Sequence, residues 1–231
     1  MYSPPSTPCH SRVNALLVSA SLMALLSACG TDAPHADTPI DCSQDFVFAQ
    51  EVVSFTPGAG AGYGQDQMPS VVLGPPERGL PSKGSTDVLS LGLDGSIVLG
   101  FGEEVIRDGP GPDFIVWENN FWIGGDATQV FSELGEISVS ADGITWSTFP
   151  CDATQAEGYD SGCAGWRPRQ DHDLCTLEAL DPVEVGGDPF DLADVELEEV
   201  RYVRIRGVSD SGDAPSKSFD LDAVGVIHAR P

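Results

Sequence analysis

From residue 46 to the end, the apolar residues come in short runs, each closed by a turn former. DFVFAQEVVSF (45–55), DVLSLGL (87–93), SIVLGF (96–101), DFIVWEN (113–119), GEISVSA (135–141), ITWSTF (144–149), RYVRIRGV (201–208) and AVGVIHA (223–229) are such runs. They are rich in Val, Ile and Phe and too short for a typical helix, so they read as strands. Ile137, Val139 and Ala141 alternate with Glu136, Ser138 and Ser140, and Val203 and Ile205 alternate with Arg204 and Arg206. A period of two places the apolar side chains of each strand on one face. Asp94-Gly95 and Asp142-Gly143 separate consecutive runs and predict two tight hairpins. Gly (26) and Pro (18) make up 44 of 231 residues, well above the average of roughly 12%, which favours turn-rich β structure. The expected fold is all-β, a sandwich or barrel with one short helix at most. That helix, or a turn, falls in DLADVELEEV (191–200). Residues 57–86 and 151–190 read as long loops, a class that often carries function.

The N-terminus is an address. Residues 13–26 (VNALLVSASLMALL) are an apolar run, too short to span a bilayer comfortably and of the length of a signal-peptide core. Leu26-Ser27-Ala28-Cys29 follows directly and resembles the lipobox of bacterial lipoproteins. The resemblance implies cleavage before Cys29, acylation of Cys29 and a stable membrane anchor. Gly30, in place of Asp after the Cys, favours the outer membrane. The expected organisation is a signal peptide over 1–28, a polar tether over 29–45 and one domain over 46–231.

Four cysteines remain once Cys9 leaves with the signal and Cys29 carries lipid. An even number in an exported chain suggests two disulfides. Three pairings are possible. The favoured one is Cys151–Cys163, closing a short loop, with Cys42–Cys175 tying the tether to the domain. The alternative, a zinc site, lacks any C-x-x-C spacing, and only His172 and His228 lie in the domain.

The formal charge is −25, from 36 Asp+Glu against 11 Lys+Arg. Such a chain does not suit nucleic acid, whose phosphates need Lys and Arg. It suits divalent cations, basic partners or plain solubility.

Several segments are similar to an uncharacterised family of bacterial cell-surface proteins and lipoproteins. They are VVSFTPGAGAGYGQ (52–65), DVLSLGLDGSIVLGF, DGPGPDFIVWENNF (108–121), GEISVSADGITWSTF, DLADV with RYVRIRGV, and FDLDAVGVIHA (219–229). The similarity covers about residues 50–229, with DGPGPDF-x-V-x-EN and FDLDAV its most specific parts. S-x-D-G-x-x-W followed by R-Y-V-R-I also resembles discoidin-like, galactose-binding-type domains. These resemblances imply a jelly-roll-like sandwich at the cell envelope, with a structural Ca²⁺ near its loops, and no assigned enzymatic activity. Ser140–Trp146 is one residue shorter than a sialidase Asp-box, so no propeller is expected.

Calcium takes six to eight oxygens from carboxylates, carbonyls and water. Asp108, Asp113, Glu118 and Asn119 flank one expected strand, and Asp220 and Asp222 stand at the start of the last. These six are the expected calcium ligands, with Asp220 and Asp222 sharing a strand face at i, i+2. The same acids would otherwise cap turns and face solvent. A glycosidase pair from Asp113 and Glu118 is disfavoured, because five residues of strand hold them about 16 Å apart, beyond the roughly 5–10 Å that chemistry uses. No G-x-S-x-G occurs, and His228 in an apolar run reads as structural. Trp122, Tyr159 and Trp166, in expected loops, are candidates to stack a sugar ring, whereas Trp117 and Trp146 read as core. The functional expectation is a non-enzymatic, membrane-anchored binding or adhesion module with a glycan or surface protein as partner. Two alternatives are a purely structural envelope lipoprotein and a secreted glycoside hydrolase.

Overall fold

Where a strand meets water on one side, its sequence alternates. Where it is covered on both sides, its sequence runs apolar without a break. Both patterns occur in the computed structural model of the chain, which describes residues 45–154, 162–208 and 218–230. All of them lie in the unit that runs from Ile40 to Pro231.

The strands are β1 (Val47–Phe48), β2 (Glu51–Thr56), β3 (Leu89–Ser90), β4 (Ser96–Gly100), β5 (Val105–Arg107), β6 (Phe114–Glu118), β7 (Phe121–Trp122), β8 (Val130–Phe131), β9 (Gly135–Ser140), β10 (Ser147–Thr148), β11 (Asp188–Phe190), β12 (Glu199–Val200), β13 (Tyr202–Gly207), β14 (Asp220–Val226) and β15 (Ala229–Arg230). Every pairing among them is antiparallel. One sheet has the order β1–β14–β6–β11, with β3 sharing the β1 edge of β14. The other has the order β10–β9–β13–β4–β2. A three-stranded piece, β12–β5–β15, and a ribbon, β7–β8, complete the strands. The expected all-β sandwich is therefore what forms. The one α-helix among the described residues, α1 (Pro182–Val185), has four residues and is capped by Asp181, whose side chain accepts from Val183 N. Residues 192–195 make a 3-10 turn, as the DLADV segment allowed.

Alternation in the second sheet builds the core. Leu99, Val203 and Val139 lie in one cross-strand row, and Ile97, Ile205 and Ile137 in the next. All six are fully buried. They meet Phe114, Val116, Leu221 and Val224 of the first sheet, and Phe219 just before β14. Phe114, Phe149 and Phe190 interlock there with ring centroids 5.0–6.0 Å apart. The outward side chains of β13 are polar: Arg206 reaches Glu136 at 3.1 Å and Asp94 at 3.0 Å, and Arg204 lies over the Trp146 ring.

β6 is covered on both faces, which explains its unbroken FIVW. Phe114 and Val116 enter the main core, while Ile115 and Trp117 join Phe48, Leu180, Val185 and Ala223 in a second apolar layer. Gly187 presses that layer shut: a Cβ on it would meet Trp117 Nε1 at 2.7 Å, and its φ of 79° suits glycine. β11 carries Pro189 at a sheet edge, where the lost donor costs nothing.

The two hairpin expectations part company. β9 and β10 do pair across Asp142-Gly143, with Ser147 opposite Val139, although the loop spans six residues. The hairpin expected at Asp94-Gly95 does not form. A turn is present, with Gly95 N bonded to Gly92 O and Asp94 at φ 59°. Its flanks diverge, however: β3 pairs with β14 in the first sheet, and β4 with β13 and β2 in the second. The segment is a crossover between layers.

Candidate functional site

The expected calcium ligands fall into three places. Asp113 sits just before β6 and is fully buried. Its Oδ1 accepts from Gly109 N at 2.8 Å and contacts His228 Nδ1 at 2.8 Å, and its Oδ2 accepts from Leu192 N at 2.7 Å. Asp108, Asp113 and Asp191 bring carboxylate oxygens within 4.8 Å of one another, the only such trio of metal-ligating side chains among the described residues. Asp108 is exposed, and Asp191 already caps a turn by accepting from Ala193 N. This end of β6 reads as a structural joint, and His228 takes the structural role expected of it.

Glu118 closes the opposite end of β6 and is 1% exposed. Its Oε1 accepts from Asp220 N at 3.4 Å, and its Oε2 is buried with no hydrogen bond. Burial pushes the Glu118 carboxyl well above the usual range, and the charges of Asp220, Glu133 and Asp188 push it further. Burial likewise raises Glu133 to about 7 against the pull of Ser218 N–H, which donates to it at 2.9 Å. Asp220 is also raised by burial, with the Ser90 and Asn119 side chains opposing. Asn119 N donates to Asp220 O, and the Asn119 amide oxygen accepts from Ser85 N. Asn120, also 1% exposed, leaves both side-chain amide atoms buried and unpartnered.

Asp222 belongs to a third place. A β-bulge falls at Asp222, between Leu221 and Ala223, and the partners of Asp222 differ from those of Asp220. Asp222 instead accepts from Glu77 N and lies 3.5 Å from Arg169 Nη1, in a pair whose side chains are almost entirely buried. Burial raises Asp222 to about 7, with the Glu77 N–H and Arg169 opposing.

Arg169 and Trp117 contribute to the wall of a pocket of about 420 Å³ above the outer layer of the first sheet. Phe48, Leu174, Leu180 and Val185 give it an apolar side; Glu77, Arg78, Gln170, His172 and Asp173 give it a polar one. Loop 166–187 forms much of this wall. Asp188 fixes the loop's start, accepting at Oδ2 from Gly165 N at 2.7 Å and Trp166 N at 3.0 Å.

The sugar-stacking candidates are dispersed. Trp122 lies in β7, not in a loop, half-buried, with its Nε1 buried and unpartnered. Trp166 is half-buried, with its backbone N–H donating to Asp188. Tyr159 lies outside the described residues. Cys151–Cys163 forms as expected. Cys175 is disulfide-bonded, and Cys42, its expected partner, lies outside the described residues, as does Cys29.

Asn120, Glu133, Arg169 and Asp188 escaped the sequence reading. Asn120 stands beside Asn119 inside the quoted DGPGPDFIVWENNF segment, so a signal was present there. Glu133 and Arg169 sit in irregular chain and Asp188 opens the three-residue strand β11, where no period announces burial. Neither a protein-family model nor a curated protein sequence matches the chain. The functional reading therefore rests on this geometry.

Proposed function

We propose that the protein is a non-enzymatic, lipid-anchored binding module of the bacterial cell envelope that holds a glycan in the pocket over the first sheet. The observation that carries this reading is the pocket itself. Its volume falls within the range of small-molecule sites, and it opposes an apolar wall to hydrogen-bonding side chains. A sugar presents ring carbons on one face and hydroxyls at its rim, and so matches such a wall. The two carboxylates on the pocket rim already serve structure: Glu77 accepts from Ser85 Oγ, and Asp173 accepts from Cys175 N at 3.0 Å. That supports binding over catalysis. The Cys151–Cys163 disulfide supports an oxidising, exported location, as the lipobox-like segment at Cys29 does.

The test has two arms. On a glycan array the full chain is expected to bind, and Gln170→Ala and His172→Ala to weaken the hit at least tenfold. No hit, or hits indifferent to both changes, refutes the pocket as a glycan seat. In detergent phase separation, Cys29→Ser is expected to move the protein to the aqueous phase. Its retention in the detergent phase refutes the lipid anchor.

A further inference from the structure

Two largely irregular stretches of chain border the pocket over the first sheet. Glu77 and Arg78 line it from one, and Arg169, His172 and Asp173 from the other. Among the described residues no backbone hydrogen bond joins residues 75–84 to residues 166–176. Side chains join them instead, at two depths. At the inner level Asp222 Oδ1 accepts from Glu77 N at 3.1 Å, and Asp222 Oδ2 lies 3.5 Å from Arg169 Nη1. One carboxylate on β14 thus holds both stretches. Arg169 Nη2 also reaches across to Lys83 O at 3.5 Å, and a Cβ on Gly79 would meet that nitrogen at 2.7 Å. At the outer level Arg78 Nε lies 3.3 Å from Asp171 Oδ1, and Arg78 Nη1 lies 3.7 Å from Asp173 Oδ2. The two levels differ in their access to water. The side chains of Arg169 and Asp222 are 4% and 3% exposed, whereas those of Arg78, Asp171 and Asp173 are 62%, 40% and 53% exposed. Breaking a buried pair strands a charge, whereas an exposed pair is screened by salt and contributes little. The inner join therefore outlasts the outer one.

We propose that the pocket is gated: Arg78 with Asp171 and Asp173 is a salt-sensitive clasp across its outer side, and Asp222 with Arg169 is the pin that keeps the two stretches joined when the clasp parts. Opening leaves the local turns intact. Asp173 accepts from Cys175 N through Oδ1, so releasing Arg78 from Oδ2 keeps the turn at residues 174–176 capped. On the other side Lys83 N stays bonded to Leu80 O, and Pro75 and Pro76 stiffen the chain before Arg78. With the clasp closed, Phe48, Trp117 and Leu180 of the apolar wall are only 5%, 1% and 3% exposed. Parting the clasp widens the way to that wall, while Glu77 and Arg169 remain on Asp222. The gate rests on the pocket and not on the chemistry of its occupant, so it and the glycan reading can fail separately.

The test is hydrogen–deuterium exchange of the full chain in detergent, read by mass spectrometry over residues 75–84, residues 166–176, β6 and β13. Raising NaCl from about 0.05 M to about 0.5 M is expected to speed exchange in the two bordering stretches by roughly two- to fivefold and to leave the strands unchanged. Arg78→Gln, at an exposed position that the fold does not need, is expected to bring the same rise at low salt and to abolish the salt dependence. Arg78→Asp combined with Asp171→Arg is expected to restore slow exchange. The Glu77 amide, bonded to Asp222, is expected to stay slow throughout. The gate is overturned if exchange in both stretches ignores salt and Arg78→Gln, or if the strands speed up equally, which would mean loosening of the whole domain. It is also overturned if the charge swap fails to restore protection. A Glu77 amide that speeds up with the rest would overturn the pin.

Discussion

Asp113→Asn should be among the most destabilising single-atom exchanges in the domain. The Asp113 carboxylate joins three separate pieces of chain: the turn at Gly109, the 3-10 turn at Leu192 and the His228 ring. All three contacts lie at 2.7–2.8 Å, and the residue is fully buried. The asparagine keeps one acceptor oxygen and turns the other into an NH₂. If the oxygen stays with Leu192 N, the NH₂ faces the Gly109 N–H, so a donor meets a donor. One charge-assisted bond is lost, worth about 1.5–3 kcal/mol, and a buried N–H is stranded at a further cost of about 1–3 kcal/mol. The expected loss is therefore about 3–5 kcal/mol, a large fraction of the roughly 5–15 kcal/mol that holds a domain folded. In urea titration followed by tryptophan fluorescence, a slope of about 2–3 kcal/mol/M turns that loss into a midpoint lowered by more than 1 M. The same loss should appear in chelator and in calcium, because the role assigned to Asp113 is to accept hydrogen bonds. A loss under 1 kcal/mol would refute the joint. A loss seen in calcium and absent in chelator would make Asp113 a metal ligand instead.

Two further outcomes follow from buried charge. Burial raises the Asp188 carboxyl to about 7, so the folded state holds a proton that the unfolded chain releases near its ordinary value of about 4. Its contribution to stability is full below pH 4 and is lost as pH rises through 7, by up to about 4 kcal/mol. Thermal unfolding across that window should show a flatter decline for Asp188→Asn, and an identical slope would refute the assignment. Arg169→Met removes the cation beside Asp222, and stranding one partner of a buried pair costs about 3–5 kcal/mol. Adding Asp222→Asn should restore most of that loss in urea titrations, and purely additive losses would show that the two residues do not act as a pair.

What the sequence discloses follows from how far each signal reaches. Strand β13 alternates over six residues and was legible with its inward face. β6 was legible as a strand from composition, and its unbroken apolar run marks burial on both faces. The Asp142-Gly143 turn was legible because its flanks pair with each other. Asp94-Gly95 carries the same dipeptide and does turn the chain, but Leu89 finds its partner in Leu221 and Ile97 in Ile205, more than a hundred residues away. Turn chemistry is local and the choice of sheet is not. Strands of two or three residues, such as β5, β7, β8 and β12, hold no period to read. Glu118, Asn119 and Asp220 could be singled out because they stand at strand ends, while the pairing of Asp222 with Arg169 and Glu77, both far away in sequence, has no local signature.

The two ends of β6 show two ways in which one strand holds a buried acid. Asp113 and Glu118 are both buried carboxylates flanking the same strand, and by burial alone they are equivalent. At Asp113 the chain supplies a donor for each oxygen, from the turn at Gly109 and the 3-10 turn at Leu192, with the His228 ring beside them. At Glu118 the chain supplies one long bond from Asp220 N, leaves Oε2 buried without a hydrogen bond, and adds the charges of Asp220 and Glu133 within electrostatic reach. An apolar residue there would cost the core nothing, since Leu221, its partner in register, already faces the main core. A sequence with 36 acids has ample surface on which to place them. At Glu118, burial first and the neighbouring acids second raise the carboxyl well above its usual range, so the fold favours its neutral form.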